Sequence, residues 1–198
     1  GRQGIQLFHD GSASGGMRDC VAGTVGGSRD CLDRVVSLGN TSAALYLENS
    51  RVVEARRVSL SGTRGAPIAG GGTDGDGLLV LDGATVSLDP ELSDDPANQG
   101  RGSEIVGNSR AGVVAQGAGA TLTMHGALVA SNGGPGVFAA DRAVGREIMA
   151  SAFVSNGGIG LGATPSASLV SIQCNGIFDT RMALVHTDRG SLMVGDGL

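Results

Sequence analysis

The carboxylates are the side chains of this chain best suited to do chemistry. Asp94 and Asp95 are adjacent, with Asp89 and Glu91 close by, and Asp74 stands two residues before Asp76. Two carboxyl groups held across a glycosidic bond are what sugar-polymer cleavage needs, one giving a proton and the other activating water or attacking. Both groups fall in segments rich in Gly and Pro, where solvated loop acids are the ordinary expectation. His9-Asp10 and His186-Thr187-Asp188-Arg189 set His beside Asp, and His125 lies on a strand-like run. No Gly-x-Ser-x-Gly elbow accompanies them, so a Ser-His-Asp triad has no support. Every basic residue is Arg and none is Lys. That excludes Schiff-base chemistry and a Walker A loop.

Residues Gly71-Gly72-Thr73-Asp74-Gly75-Asp76-Gly77-Leu78-Leu79 resemble the calcium-binding nonapeptide Gly-Gly-x-Gly-x-Asp-x-apolar-x, with Asp74 in place of a Gly. Asp74 and Asp76 would then offer oxygens to a hard cation. Such sites are built by adjacent repeats, and one copy is present, which favours a Gly/Asp-rich surface turn and no cofactor. Cys20, Cys31 and Cys174 lack zinc spacing. Cys20 and Cys31 would staple a Gly-rich loop as a disulfide, or serve as two small apolar residues. Cys174, in a strand-like run, is expected to be a buried free thiol.

With 198 residues the chain fits one domain able to bury a core. There are 36 Gly, one Tyr, four Phe and no Trp, so burial must rely on Val, Leu, Ile and Ala. Such runs broken by Gly favour many short strands. The 40% hydrophobic and 17% charged content opposes disorder. A net charge of −5 argues against nucleic acid as a partner. No apolar run is long enough for a transmembrane span. The chain opens at Gly1 instead of Met, as expected of a segment of a longer chain.

Three blocks share one pattern: Gly-Asn-Ser-Arg-Ala-Gly-Val-Val-Ala from Gly107, Ser-Asn-Gly-Gly-Pro-Gly-Val-Phe-Ala from Ser131, and Ser-Asn-Gly-Gly-Ile-Gly-Leu-Gly-Ala from Ser155. Asn108, Asn132 and Asn156 recur every 24 residues, as do Gly112, Gly136 and Gly160, with Val113, Val137 and Leu161 in step. Asn175-Gly176 follows after 19 and reads as the same bend in a shortened turn. Runs at 120–130, 146–154 and 167–174 alternate apolar with small or polar residues, as strands with one buried face do. One period thus holds two or three strands, a coil of a solenoid. Earlier, 77–88 matches 112–124 at an offset of about 35, leaving 89–102 as an inserted loop. Residues 62–76 form a second loop, and 9–33 are irregular. Asn at a repeated bend would tolerate a left-handed conformation and bond the amide above it, with Gly allowing the sharp turn. Asn108, Asn132 and Asn156 then need no catalytic role.

These Asn-Gly bends, the Gly-Val-Phe-Ala and Gly-Leu-Leu-Val strands, and the 24-residue register resemble the pectate-lyase-like superfamily of right-handed parallel β-helices. They resemble most the long repeat-bearing β-helix proteins of the bacterial envelope and exterior, across about residues 40–195. The resemblance implies an all-β, single-domain solenoid and an extracytoplasmic protein, secreted or envelope-associated. The superfamily's active members are mostly polysaccharide lyases and glycosidases, but the Gly-His-Gly of the galacturonases is absent and no aromatic platform for sugars is evident. The expectation is therefore a structural or adhesive segment without catalytic residues, meeting a polysaccharide or protein surface through loops that carry Asp94, Asp95, Asp74 and Asp76, or associating end to end. The alternative is a carbohydrate-active β-helix using those acids.

Overall fold

The computed structural model describes residues 3–7, 30–49, 52–65, 67, 74–92, 95–178, 182–185 and 192–194. Short apolar runs interrupted by turn residues become short strands, and these assemble into three sheets in which every pairing is parallel. The first sheet holds β1 (Gln3–Leu7), β4 (Ala43–Leu47), β7 (Asp76–Leu81), β10 (Val113–Gln116), β13 (Val137–Ala140), β16 (Ile159–Ala163) and β19 (Met182–Val185). The second holds β2 (Asp30–Asp33), β5 (Val52–Arg56), β8 (Thr85–Leu88), β11 (Thr121–His125), β14 (Val144–Met149), β17 (Ser168–Gln173) and β20 (Leu192–Val194). The third holds β3 (Val36–Leu38), β6 (Ser59–Ser61), β9 (Glu104–Val106), β12 (Leu128–Ala130), β15 (Ala152–Val154) and β18 (Gly176–Phe178). The chain visits the three sheets in rotation, so each strand pairs with the strand three places on. This regular stack is compatible with a parallel β-helix. Strand β2 falls within the stretch expected to be irregular.

Side chains that alternate along a strand line up across strands. Leu45, Leu78, Val113, Val137 and Leu161 form one inward row of the first sheet. Ala55, Leu88, Met124, Ile148 and Ile172 form one in the second, and Leu60, Ile105, Val129 and Phe153 one in the third. All belong to one buried cluster. Each fully buried aliphatic of this kind contributes roughly 1.5–3 kcal/mol, so stacked rows make up for the scarcity of aromatics. Phe153 is the largest side chain among them.

Single residues with positive φ turn the chain at two recurrent corners. After the second sheet these are Arg34, Arg57, Asp89, Gly126, Ala150 and Cys174, with φ between 47° and 63°. After the third they are Gly39, Gly62, Gly107, Ser131 and Ser155, with φ between 52° and 70°. The asparagines were expected in this conformation, but it is the residue before each that adopts it. Neither Gly112 nor Gly136 has a positive φ. They are needed for space: a Cβ on either would lie 2.6 Å from the carbonyl oxygen of the next coil's glycine, Gly136 or Gly160. Among the described residues no helix is long and apolar enough to cross a membrane.

Candidate functional site

The asparagines stack as a hydrogen-bonded ladder just past the third-sheet corner. Asn132 Oδ1 accepts from Asn108 N at 3.0 Å and from its Nδ2 at 2.9 Å. Asn156 Oδ1 does the same for Asn132 at 3.2 and 2.9 Å. Each amide also donates to a strand carbonyl, Asn108 to Leu60, Asn132 to Ile105 and Asn156 to Val129. All three are buried, so unmade bonds would carry a full desolvation cost. Asn175 is not the next rung. Its Oδ1 accepts from Ser151 N at 2.9 Å, and Gly176 pairs with Ala152. It sits at the other corner, 24 residues above Ser151, so no shortened turn is needed.

Two of the candidate acids are engaged by neighbouring side chains. Asp76 opens β7 and is fully buried. Its carboxylate takes Nε of Arg110 at 2.8 Å, a second bond from Nη2, and the N–H of Ala111 at 3.2 Å. Hydrogen bonding to Asp76 raises the Arg110 pKa against the opposing effect of burial, with Asp74 adding to it. Asp74 Oδ2 accepts from Ser42 Oγ at 2.5 Å. Asp76 was expected to be a solvated loop acid and is instead a neutralised one, because Arg110 of the following coil lies against it. A calcium ion there would have to displace that guanidinium. Gly71, Gly72 and Thr73 lie outside the described residues, and among those described no group of three or more His, Cys, Asp or Glu could hold a metal ion.

Around the 89–102 segment, Asp95 caps a one-turn 3-10 helix at Pro96–Asn98, accepting from Ala97 N at 2.9 Å. Its neighbour Asp94 lies outside the described residues, as do His9, Asp10, His186 and Asp188. Asp89 is fully buried, and its two oxygens accept from Arg57 N at 2.6 Å and Ser103 N at 2.5 Å. It closes the base of the excursion. The segment does not simply project: Leu92 O meets His125 Nδ1 at 3.0 Å, and Gln99 Nε2 donates to Cys174 O at 3.0 Å. Cys174 is free and half-buried, at the corner just past β17. Cys31 lies on β2, and Cys20 lies outside the described residues.

An open groove of about 380 Å³ runs along the remaining corner, between first-sheet and second-sheet strands, lined by Leu81, Asp82, Gln116, Gly117, Asp141 and Arg142. Gln116 Nε2 donates to Asp141 Oδ2 at 2.7 Å. Asp82, Asp141 and Arg142 are exposed and have positive φ, Asp82 just past β7 and the other two just past β13, with the β10 coil between them. The groove offers acceptors and a guanidinium to a polar surface. Sequence reading missed these residues. The usable signal was the place of Asp82 and Asp141, one residue past the aligned runs 78–81 and 137–140. Nearby, Tyr46 donates to Glu48 at 2.9 Å, and burial, aided by Glu48, pushes its pKa up to about 12.

Comparison with family models, curated proteins and solved structures gave no match to this chain.

Proposed function

We propose that this chain is a structural or adhesive segment of a secreted or envelope-associated bacterial protein, built as a right-handed parallel β-helix with coils of about 24 residues and akin to the pectate-lyase-like superfamily. One observation carries the reading: five buried polar side chains, three asparagines and two aspartates, bond between coils. Asn108, Asn132 and Asn156 bond one another, Asp76 is matched by Arg110, and Asp89 binds two backbone N–H groups. Groups so committed support a rod and leave little for turnover. Contact with a polysaccharide or protein surface then falls to the exposed corners, the groove at Asp82 and Asp141 among them. End-to-end association of copies through strand edges belongs to the same reading.

The test is to incubate the chain with acidic and neutral polysaccharides, following reducing ends and unsaturated products, and to measure sedimentation with the same polymers. Co-sedimentation without product is the expected result. Product formation that is lost in Asp82→Asn or Asp141→Asn would replace this reading with a carbohydrate-active one.

A further inference from the structure

The outer face of the first sheet carries a continuous apolar stripe. Tyr46, Leu79, Val114 and Phe138 are register partners on β4, β7, β10 and β13, and none belongs to the buried core cluster. The stripe runs on into the next coil, where Ile159 folds over Gly162. A Cβ built on Gly162 would collide with the Ile159 side chain and press on Phe138 at 3.3 Å. At about 4.8 Å per coil, the stripe spans about 19 Å.

The stripe and the neighbouring groove share a centre. Val114 and Gly117 belong to the β10 coil, Leu79 and Asp82 lie one coil before it, and Phe138 and Arg142 one coil after. Asp82 and Arg142 are exposed, while Asp141 is tied back to Gln116. Opposite charges therefore stand one coil either side of the same strand.

A surface with this pattern is complementary to itself. A two-fold axis parallel to the strands, through β10, lays the stripe of one copy on that of another. Leu79 then meets Phe138, Val114 meets its own counterpart, and each Asp82 faces the other copy's Arg142. Glu48 faces the corner at Thr164, its register equivalent two coils beyond β10, so no like charge opposes it. An axis along the coils would instead carry Asp82 to the end of β7 that follows Asp74, carboxylate towards carboxylate.

We propose that the outer face of the first sheet is a self-association surface, on which two copies pair side by side through the apolar stripe and reciprocal Asp82–Arg142 contacts. A strip about 19 Å long and four residues wide, about 13 Å, falls short of the roughly 800 Å² per partner of a standard interface. The pair is therefore a transient one. This inference goes beyond the proposed function and does not depend on it.

Sedimentation equilibrium of the full chain at up to about 1 mM tests it, without polysaccharide, which would compete for the groove. A reversible dimer with a Kd on the order of 100 µM is expected. Asp82→Arg and Arg142→Asp each set like charges face to face, and each alone should stay monomeric. Arg34, Arg57 and Arg142 already adopt positive φ at corners, so Arg is tolerated in that conformation. An equimolar mixture of the two variants restores both opposite-charge contacts and should pair within about threefold of the parent Kd. Phe138→Ser, on the outer face, should weaken pairing about tenfold by a separate route. A parent chain that stays monomeric, a mixture that does not pair, or undiminished pairing in Phe138→Ser would overturn the proposal.

Discussion

Asn132 stands one coil above Asn108, and its single side-chain oxygen accepts both the backbone N–H and the amide Nδ2 of Asn108, at 3.0 and 2.9 Å. The side chain of each rung therefore satisfies the backbone of the rung 24 residues earlier. This directional relationship makes the stack of coils cooperative, and several outcomes depend on it.

Gly136→Ala should destabilise the fold by about 1–3 kcal/mol, because the new Cβ meets the Gly160 carbonyl at 2.6 Å in a packed corner. Gly107→Ala meets nothing within 4 Å and has only its φ of +68° to contend with, a cost of about 1 kcal/mol. Urea denaturation of both variants would give the order, and a larger loss for Gly107→Ala would contradict the steric account.

Removing Arg110 leaves the fully buried Asp76 carboxylate without its ion partner. Arg110→Met should cost about 3 kcal/mol, toward the low end for a broken buried pair because Arg110 itself is 40% exposed. Asp76→Asn combined with Arg110→Met should recover part of that loss, since no uncompensated charge then remains. A double variant no more stable than the single one would show that the guanidinium acts by packing and not by charge.

Tyr46 is the only tyrosine, and the chain has no Trp, so tyrosinate absorbance reports one site. Its ionisation should occur near pH 12, two units above the ordinary value, because burial and Glu48 disfavour the anion. The folded state holds this proton more tightly than the unfolded state. The resulting stabilisation is whole below pH 10 and fades as pH rises toward 12. Glu48→Gln should lower the midpoint, and a midpoint near 10 in the parent chain would show that Tyr46 is solvated.

Much of the stack was legible in the sequence because identical residues recur where identical geometry recurs. The register of Val113, Val137 and Leu161 is the register of the strands, and 77–88 stacks beneath the run it resembles. The corners were harder to read. Their left-handed position is filled by Arg57, Asp89, Gly126, Ala150 and Cys174 in successive coils, so no residue type marks it. Asn175 shows the consequence, since an Asn-Gly pair looks alike at either corner. The fate of the acids was hidden for another reason. Whether Asp76 is solvated or buried depends on Arg110, 34 residues away, and local composition does not carry that information.

The ladder can be tested most directly by backbone hydrogen exchange of Asn132→Ala. Asn108 N–H should lose protection, because its acceptor was the Asn132 side chain. The N–H of residue 132 should keep its protection, because its acceptor is Asn156 Oδ1. Ser151, whose acceptor is Asn175 on the other corner, should be unchanged. Protection retained at Asn108, or lost first at Ser151, would contradict the stacked-coil account.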